Sequence, residues 1–140
     1  MSFVVTQTVR FAHVDAAGIV FYPRYFELLN ATVEEYFARE IGVGFAQMHL
    51  ERKLGVPTVD LAAQFSAPSR LGDNLDFELT VERVGRSSMD MTVVAMCADS
   101  KRMEAKATLV CMDLTSGKSA PWPDDMRPRI HRSELVEGAA

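Results

Sequence analysis

Four apolar rows of period two, set close together in the second half of the chain, constrain the fold more than any other feature. Val59, Leu61, Ala63 and Phe65 alternate with Asp60, Ala62 and Gln64. Leu75, Phe77, Leu79 and Val81 alternate with Asp76, Glu78, Thr80 and Glu82. Two more rows follow: Met89, Met91, Val93 and Ala95, then Met103, Ala105, Ala107, Leu109 and Cys111. Successive side chains of a strand point to opposite faces, so each row predicts a strand with one buried face. The connections are short and turn-rich: Ala67 to Asn74, the hairpin signal Gly85-Arg86-Ser87-Ser88, and Asp99 to Arg102. Short connections make neighbouring strands antiparallel.

The first half has a different rhythm. Phe3, Val5, Val9 and Phe11 form one face of a further strand, followed by a compact segment from His13 to Pro23 that includes Gly18. Pro23 suits the first position of a helix, where its missing N–H costs nothing. From Tyr25 to about Glu40, Phe26, Leu29, Val33 and Phe37 recur at spacings of three and four, and Leu28 and Tyr36 widen the stripe. This predicts an amphipathic helix, ended by Gly42 and Gly44. Phe45 to Leu54 is expected to form a short second helix. The tail from Pro121 is expected to be irregular, with at most a short helical turn. One strand, one long helix and four more strands make an α+β layer architecture, and 140 residues suit a single domain spanning 1–140.

A chain that is 48% apolar with a formal charge of −4 can bury a core, and its acidity argues against nucleic-acid binding through overall charge. Cys97 and Cys111 lie in alternating runs without metal-ligand spacing, which reads as buried thiols rather than a disulfide framework. His13, His49 and His131 show no ligand spacing either, so no metal is expected. The first residues lack a basic region followed by a long apolar one, and no apolar run has the length of a membrane span. A cytoplasmic location without membrane association is the expectation.

The segment Phe11-Ala12-His13-Val14-Asp15-Ala16-Ala17-Gly18-Ile19-Val20-Phe21-Tyr22-Pro23-Arg24-Tyr25-Phe26 resembles the signature of the 4-hydroxybenzoyl-CoA thioesterase family. The strand order fits that family's hotdog fold, an antiparallel sheet of five or six strands wrapped around one long central helix. The resemblance implies an acyl-CoA thioesterase that needs no cofactor, because the CoA thioester is itself the substrate. It also implies a homodimer or homotetramer with sites at the dimer interface. An exposed edge strand, a ready template for pairing, agrees with that.

The resemblance places the catalytic carboxylate on Asp15. On residue type alone a turn cap is the simpler reading of an Asp there. An acyl carbonyl also needs donors, and a helix start offers unpaired N–H groups and a partial positive charge. Pro23 cannot donate, so the backbone N–H of Tyr22, or one in the next turn, is the candidate, and the resemblance points to Tyr22. Gly18, Phe26, Asn30, Thr58 and Val59 are the expected substrate contacts. Asn30 stands where the family's 4-hydroxybenzoyl enzyme has an Asp that binds the phenol, which puts that specificity in question. Phe21, Ala62 and Ala63 fit either an aromatic or an aliphatic acyl group. Arg86, Ser87 and Ser88 match where the family holds the CoA nucleotide, and Arg127, Arg129 and Arg132 are further candidate cations.

His13 reads as a local hydrogen-bonding residue rather than a base. Glu34 and Glu35 invite the helix-carboxylate chemistry of another hotdog branch, but a solvated helix face explains them better. Two rivals remain. A hotdog hydratase or dehydratase would want an Asp–His pair, and a non-catalytic acyl-CoA binder would not need Asp15. Direct attack by Asp15 and activation of water by it are both open, as is the choice between CoA and an acyl-carrier protein.

Overall fold

The computed structural model describes residues 2–134. Strands β1 (Ser2–Thr8), β3 (Thr58–Phe65), β4 (Asn74–Val84), β5 (Ser88–Cys97) and β6 (Ser100–Val110) form one antiparallel sheet in the order β1-β4-β5-β6-β3. Two short strands, β2 (Leu54–Gly55) and β7 (Met112–Asp113), pair with each other. Helix α1 (Pro23–Tyr36) continues through a π-helical turn, Phe37–Ile41. Helix α2 (Arg127–Ser133) follows the last strand. The number of main strands, their antiparallel pairing and the single long helix are those expected.

The three central strands bury the rows that their alternation predicts. Leu75, Phe77, Leu79 and Val81 of β4 are shut from solvent, as are Met89 to Ala95 on β5 and Met103 to Leu109 on β6. The register aligns Phe77 with Ala95 and Ala95 with Met103, so large and small side chains alternate across the sheet. Against them α1 packs Tyr25, Leu28, Leu29, Val33 and Tyr36 in one continuous cluster. Each buried aliphatic or aromatic side chain there contributes about 1.5–3 kcal/mol relative to exposure. Gln7 of β1 pins the helix to the sheet, donating to the carbonyl of Leu28 at 2.8 Å and to the Thr32 hydroxyl at 2.9 Å.

Four expectations need correction. Phe11 is 82% exposed, because β1 ends at Thr8 and the chain turns through a single 3₁₀ turn at Phe11–His13. Phe26 is only half-buried, and Tyr25 takes its place in the core. The second helix starts at Phe45 as expected but ends as a π turn, Gln47–Glu51, short of Leu54, and that turn buries Met48 alone. The tail is no irregular appendage: Trp122, Met126 and Ile130 are buried, and α2 starts with Pro128 in its first turn, where proline is tolerated.

The π turn after α1 ends at Gly42 in the left-handed region, φ 84°. A side chain there would also collide with the Arg129 guanidinium, which donates to the Ile41 carbonyl at 2.9 Å. Glycine at this position therefore lets the tail close over the end of the helix.

Strand β3 departs most from its pattern. Val59, Leu61 and Phe65, its expected buried row, are 59%, 40% and 45% exposed. Among the described residues the strand pairs only with β6, so its other edge carries backbone groups without a partner strand. Its register shifts between Thr58 and Asp60, a bulge that sets Val59 apart from the ladder.

Candidate active site

Asp15 opens a tight reversal. Its N–H donates to the carbonyl of Ile19 at 2.9 Å, its carbonyl accepts from Gly18 N–H at 3.0 Å, and Val14 bridges Val20. Gly18 lies at φ 78°, a conformation open to glycine at no steric cost. The Asp15 carboxylate is exposed, and its Oδ1 accepts from Ala17 N–H at 2.8 Å and from Ile19 N–H at 3.4 Å. Among the described residues no hydrogen bond reaches Oδ2. One oxygen thus caps the turn while the other stays available, so turn-capping and chemistry are compatible in the same side chain.

A second layer of bonds holds this loop in place. Val20 N–H donates to the Ser69 carbonyl, Leu71 N–H to the Gly18 carbonyl, and Ile19 bridges Arg70. The 66–73 connection is fixed in turn by Arg102. Its guanidinium donates to the Pro68 carbonyl at 2.9 Å, the Ser69 hydroxyl at 3.2 Å and the Asp73 carboxylate at 2.9 Å. Tyr25, from the first turn of α1, donates to the same Ser69 hydroxyl at 2.8 Å. The backbone N–H of Arg70 and the Arg102 guanidinium hold the Asp73 carboxyl below its ordinary value.

The chain enters α1 directly after the loop. Phe21 N–H is bonded to the His13 carbonyl, Arg24 N–H to Phe21 and Tyr25 N–H to Tyr22. Pro23 has no N–H to give. The N–H of Tyr22 finds no acceptor among the described residues, and it stands at the positive end of a 14-residue helix. It is a free donor with the right polarity for a carbonyl oxygen on which charge develops.

Around that point lies a cluster of aromatic rings. Phe65, at the end of β3, lies edge-on to Tyr22 and Phe26 at 6.3 Å between centroids and tilts over Tyr25 at 5.3 Å. Phe21 contacts Tyr22 at 5.6 Å. A recess of about 310 Å³ opens here, walled by Ile19, Val20, Tyr22, Tyr25 and Phe65. Two larger concavities, of about 610 and 620 Å³, lie between β1 and α1 and on the outer sheet face. Neither is lined by Asp15, by Tyr22 or by the Arg86 hairpin, so size does not select the site. Phe65 is the contact that sequence reading missed, because its place in an apolar row reads as ordinary core.

The other candidates sort clearly. Gly18, Tyr22 and Phe26 share this corner of the chain with Asp15, and Asn30 is exposed one helical turn beyond Phe26. Thr58 and Val59 are exposed at the opposite end of β3. Arg86, Ser87 and Ser88 form the β4–β5 hairpin, closed by Gly85 N–H on the Ser88 carbonyl, and Ser88 pairs with Val110. Phe65, by contrast, pairs with Met103. Seven residues along β6 and two strand spacings separate the two ends, roughly 25 Å. A single chain does not bring the hairpin to Asp15.

His13 accepts a bond from Arg10 N–H on Nδ1 at 2.9 Å, which makes it a local structural residue. Glu34 and Glu35 are exposed, the latter beside Arg39. Both cysteines are free thiols, and burial pushes the Cys111 thiol up. Among the described residues no group of His, Cys, Asp and Glu has the makings of a metal site, and no helix is long and apolar enough to cross a membrane.

The family model of the thioesterase-like superfamily matches residues 9–130, which include the Asp15 loop, α1 and the five-stranded sheet except β1. The chain belongs to that superfamily. It is a thioester hydrolase with the hotdog fold. Among its relatives, the 1,4-dihydroxy-2-naphthoyl-CoA hydrolase of Nostoc punctiforme is 25% identical over 126 residues, covering 90% of this chain and 84% of the relative. The 1,4-dihydroxy-2-naphthoyl-CoA thioesterase from Synechocystis superposes with a TM-score of 0.84 at 22% identity, covering 94% of this chain and 96% of that one. A thioesterase-superfamily protein from Jannaschia gives a TM-score of 0.88 at 20% identity over 96% of this chain and 94% of its own.

Proposed function

We propose that the protein hydrolyses an aromatic acyl-CoA, with Asp15 as the catalytic carboxylate and Tyr22 N–H as the carbonyl donor. The observation that carries this reading is the cluster of exposed Tyr22 and Phe65 with half-buried Phe26 beside the Asp15 loop. Edge-to-face ring contacts favour a planar ring inserted among them over a flexible chain. The curated relatives act on a bicyclic aromatic thioester, which supports the same class.

The reaction runs as follows. The thioester carbonyl oxygen accepts a hydrogen bond from Tyr22 N–H. Asp15 Oδ2 attacks the carbonyl carbon, and collapse of the tetrahedral adduct breaks the C–S bond, releasing the thiolate and leaving a mixed anhydride. Water then cleaves the anhydride to give the free acid and restore the carboxylate. In the other route Asp15 takes a proton from the water that attacks. Both use the same oxygen and the same donor.

The functional unit in this proposal is a pair of chains joined edge to edge through β3, with the two strands antiparallel about a two-fold axis. That pairing covers Val59 and Leu61 and satisfies the free edge. It also sets Phe65 beside the partner's end of β3, where Thr58 and Val59 lie. The hairpin of Arg86 then falls about three strand spacings away, roughly 14 Å, on the partner. One ligand can then span an acyl site from one chain and a nucleotide site from the other.

Thiol release from matched aromatic and aliphatic CoA thioesters tests the reading. Continuous release, fastest with an aromatic member, is expected. Absence of thiol release from every member, acyl-carrier-protein thioesters included, would overturn it. Hydration of an enoyl-CoA without thiol release would point instead to the hydratase reading.

A further inference from the structure

Ser69 lies in a connection between two strands, yet it is 0% exposed, and its polar atoms reach three separate elements. Its carbonyl accepts from Val20 N–H at 2.9 Å, at the far end of the Asp15 loop. Its hydroxyl oxygen accepts from the Tyr25 hydroxyl of α1 at 2.8 Å and from the Arg102 guanidinium of β6 at 3.2 Å. A hydroxyl oxygen has two acceptor sites, so both are in use.

The backbone aims Arg102 at this point. The β5–β6 register runs from Ala95 opposite Met103 to Met96 opposite Lys101, so the ladder passes over Arg102. Such a bulge turns a side chain out of the regular alternation of its strand. Nε then donates to Ser100 Oγ at 3.0 Å, and Nη1 is shared with the Pro68 carbonyl and the Asp73 carboxylate. The Ser69 hydroxyl is therefore held from the sheet side by a side chain that is itself fixed.

The stretch from Val20 to Tyr25 shows what this arrangement does. Val20 and Tyr25 are buried, whereas Phe21, Tyr22 and Arg24 between them are exposed. Both buried ends are bonded to Ser69, and Tyr25 N–H also donates to the Tyr22 carbonyl at 3.2 Å. On the other side of Val20, Asp15, Ala16 and Ala17 are exposed as well. The carboxylate and the carbonyl donor thus stand on exposed backbone to either side of Val20, and Ser69 ties that backbone down. Reacting groups must be placed closely, since a misplacement of about 1 Å can cost about 100-fold in rate.

We propose that Ser69 is a positioning residue for the hydrolysis: it clamps both ends of segment 20–25, and so sets Tyr22 N–H and the Asp15 carboxylate at one carbonyl. The inference rests on the roles of Asp15 and Tyr22 given above. Ser69 acts through those two groups and is not part of the wall of the acyl recess.

Steady-state kinetics on the preferred thioester, well below the melting range, tests this. Ser69→Ala removes the hydroxyl and keeps the carbonyl that holds Val20. It should lower kcat by about 100-fold with little change in KM. Tyr25→Phe loses a single oxygen and keeps the ring against Phe65, and should lower kcat about ten-fold. The double variant should be no slower than Ser69→Ala, because both changes break the same bond. Ser69→Thr restores a hydroxyl and should recover part of the rate. Gln7→Ala serves as the structural control. It removes two bonds to the middle of the same helix, and should lower Tm while kcat stays as in wild type. Near-normal kcat in both Ser69→Ala and Tyr25→Phe, or an equal loss in Gln7→Ala, overturns the inference; with Asp15→Asn inactive, the reading of Asp15 still stands. Near-normal turnover by Asp15→Asn sinks that reading and this inference with it.

Discussion

At the residue scale, most of the site lies within one short stretch of chain. Asp15, Gly18 and Tyr22 are close in sequence, and the bonds that shape their loop are largely local, so a motif could show them. Phe65 was not legible in this way, since it reaches the same corner through a strand pairing far along the chain. Phe65→Ala should raise KM for an aromatic thioester about ten-fold, the sum of two or three lost ring contacts, and change an aliphatic ester much less. Steady-state kinetics on the two substrates checks this. Gly18→Ala isolates backbone strain, because nothing lies within 4 Å of the added methyl group. The left-handed conformation should cost about 1–2 kcal/mol, and a thermal melt should show a Tm about 4 °C lower.

At the scale of elements, the legible parts were those whose period survives in the folded chain. β4, β5 and β6 each bury the row that alternation predicts. The prolines of the tail suggest an irregular course with a short helical turn, and only the turn, α2, is found. Yet Trp122, Met126 and Ile130 repeat at four-residue spacing and all three are buried, a signal that was present. The 66–73 connection, which looked like an ordinary turn, carries the bonds that hold the Asp15 loop. Its integrity depends on Arg102, only 15% exposed along its side chain. Arg102→Ala leaves the Pro68 carbonyl and the Asp73 carboxylate without that donor, and should cost about 2 kcal/mol in a denaturant titration. Asp73 adds a pH dependence. Its folded pKa is depressed, so its contribution is present above the ordinary carboxylate value and fades as pH falls through the lower folded value. As pH falls below the ordinary carboxylate value of about 4, wild type should therefore lose stability more steeply than Asp73→Asn.

For the whole molecule, the uncovered face of β3 explains why the sequence stopped short. A row of alternating apolar residues reads the same whether it is buried by its own chain or by another. Here Val59 and Leu61 stay exposed, and two halves of the expected ligand site stand roughly 25 Å apart on one chain. The pairing through β3 proposed above would account for both facts. Leu61→Glu would set like charges near the two-fold axis. Sedimentation should then show monomers, with activity lost although far-UV circular dichroism is kept. A variant that stays dimeric and active would exclude this edge as the interface.

The most direct test of the central claim is turnover of the preferred thioester by Asp15→Asn. Asparagine keeps the Oδ1 that caps Ala17 N–H, so the loop should fold as before. What it removes is the carboxylate. If Asp15 carries the chemistry, kcat should fall by about 10²–10⁴-fold with an unchanged melting temperature. If Asp15 serves only as the turn cap, the variant will hydrolyse the thioester at a near-normal rate, and the assignment of this site is wrong.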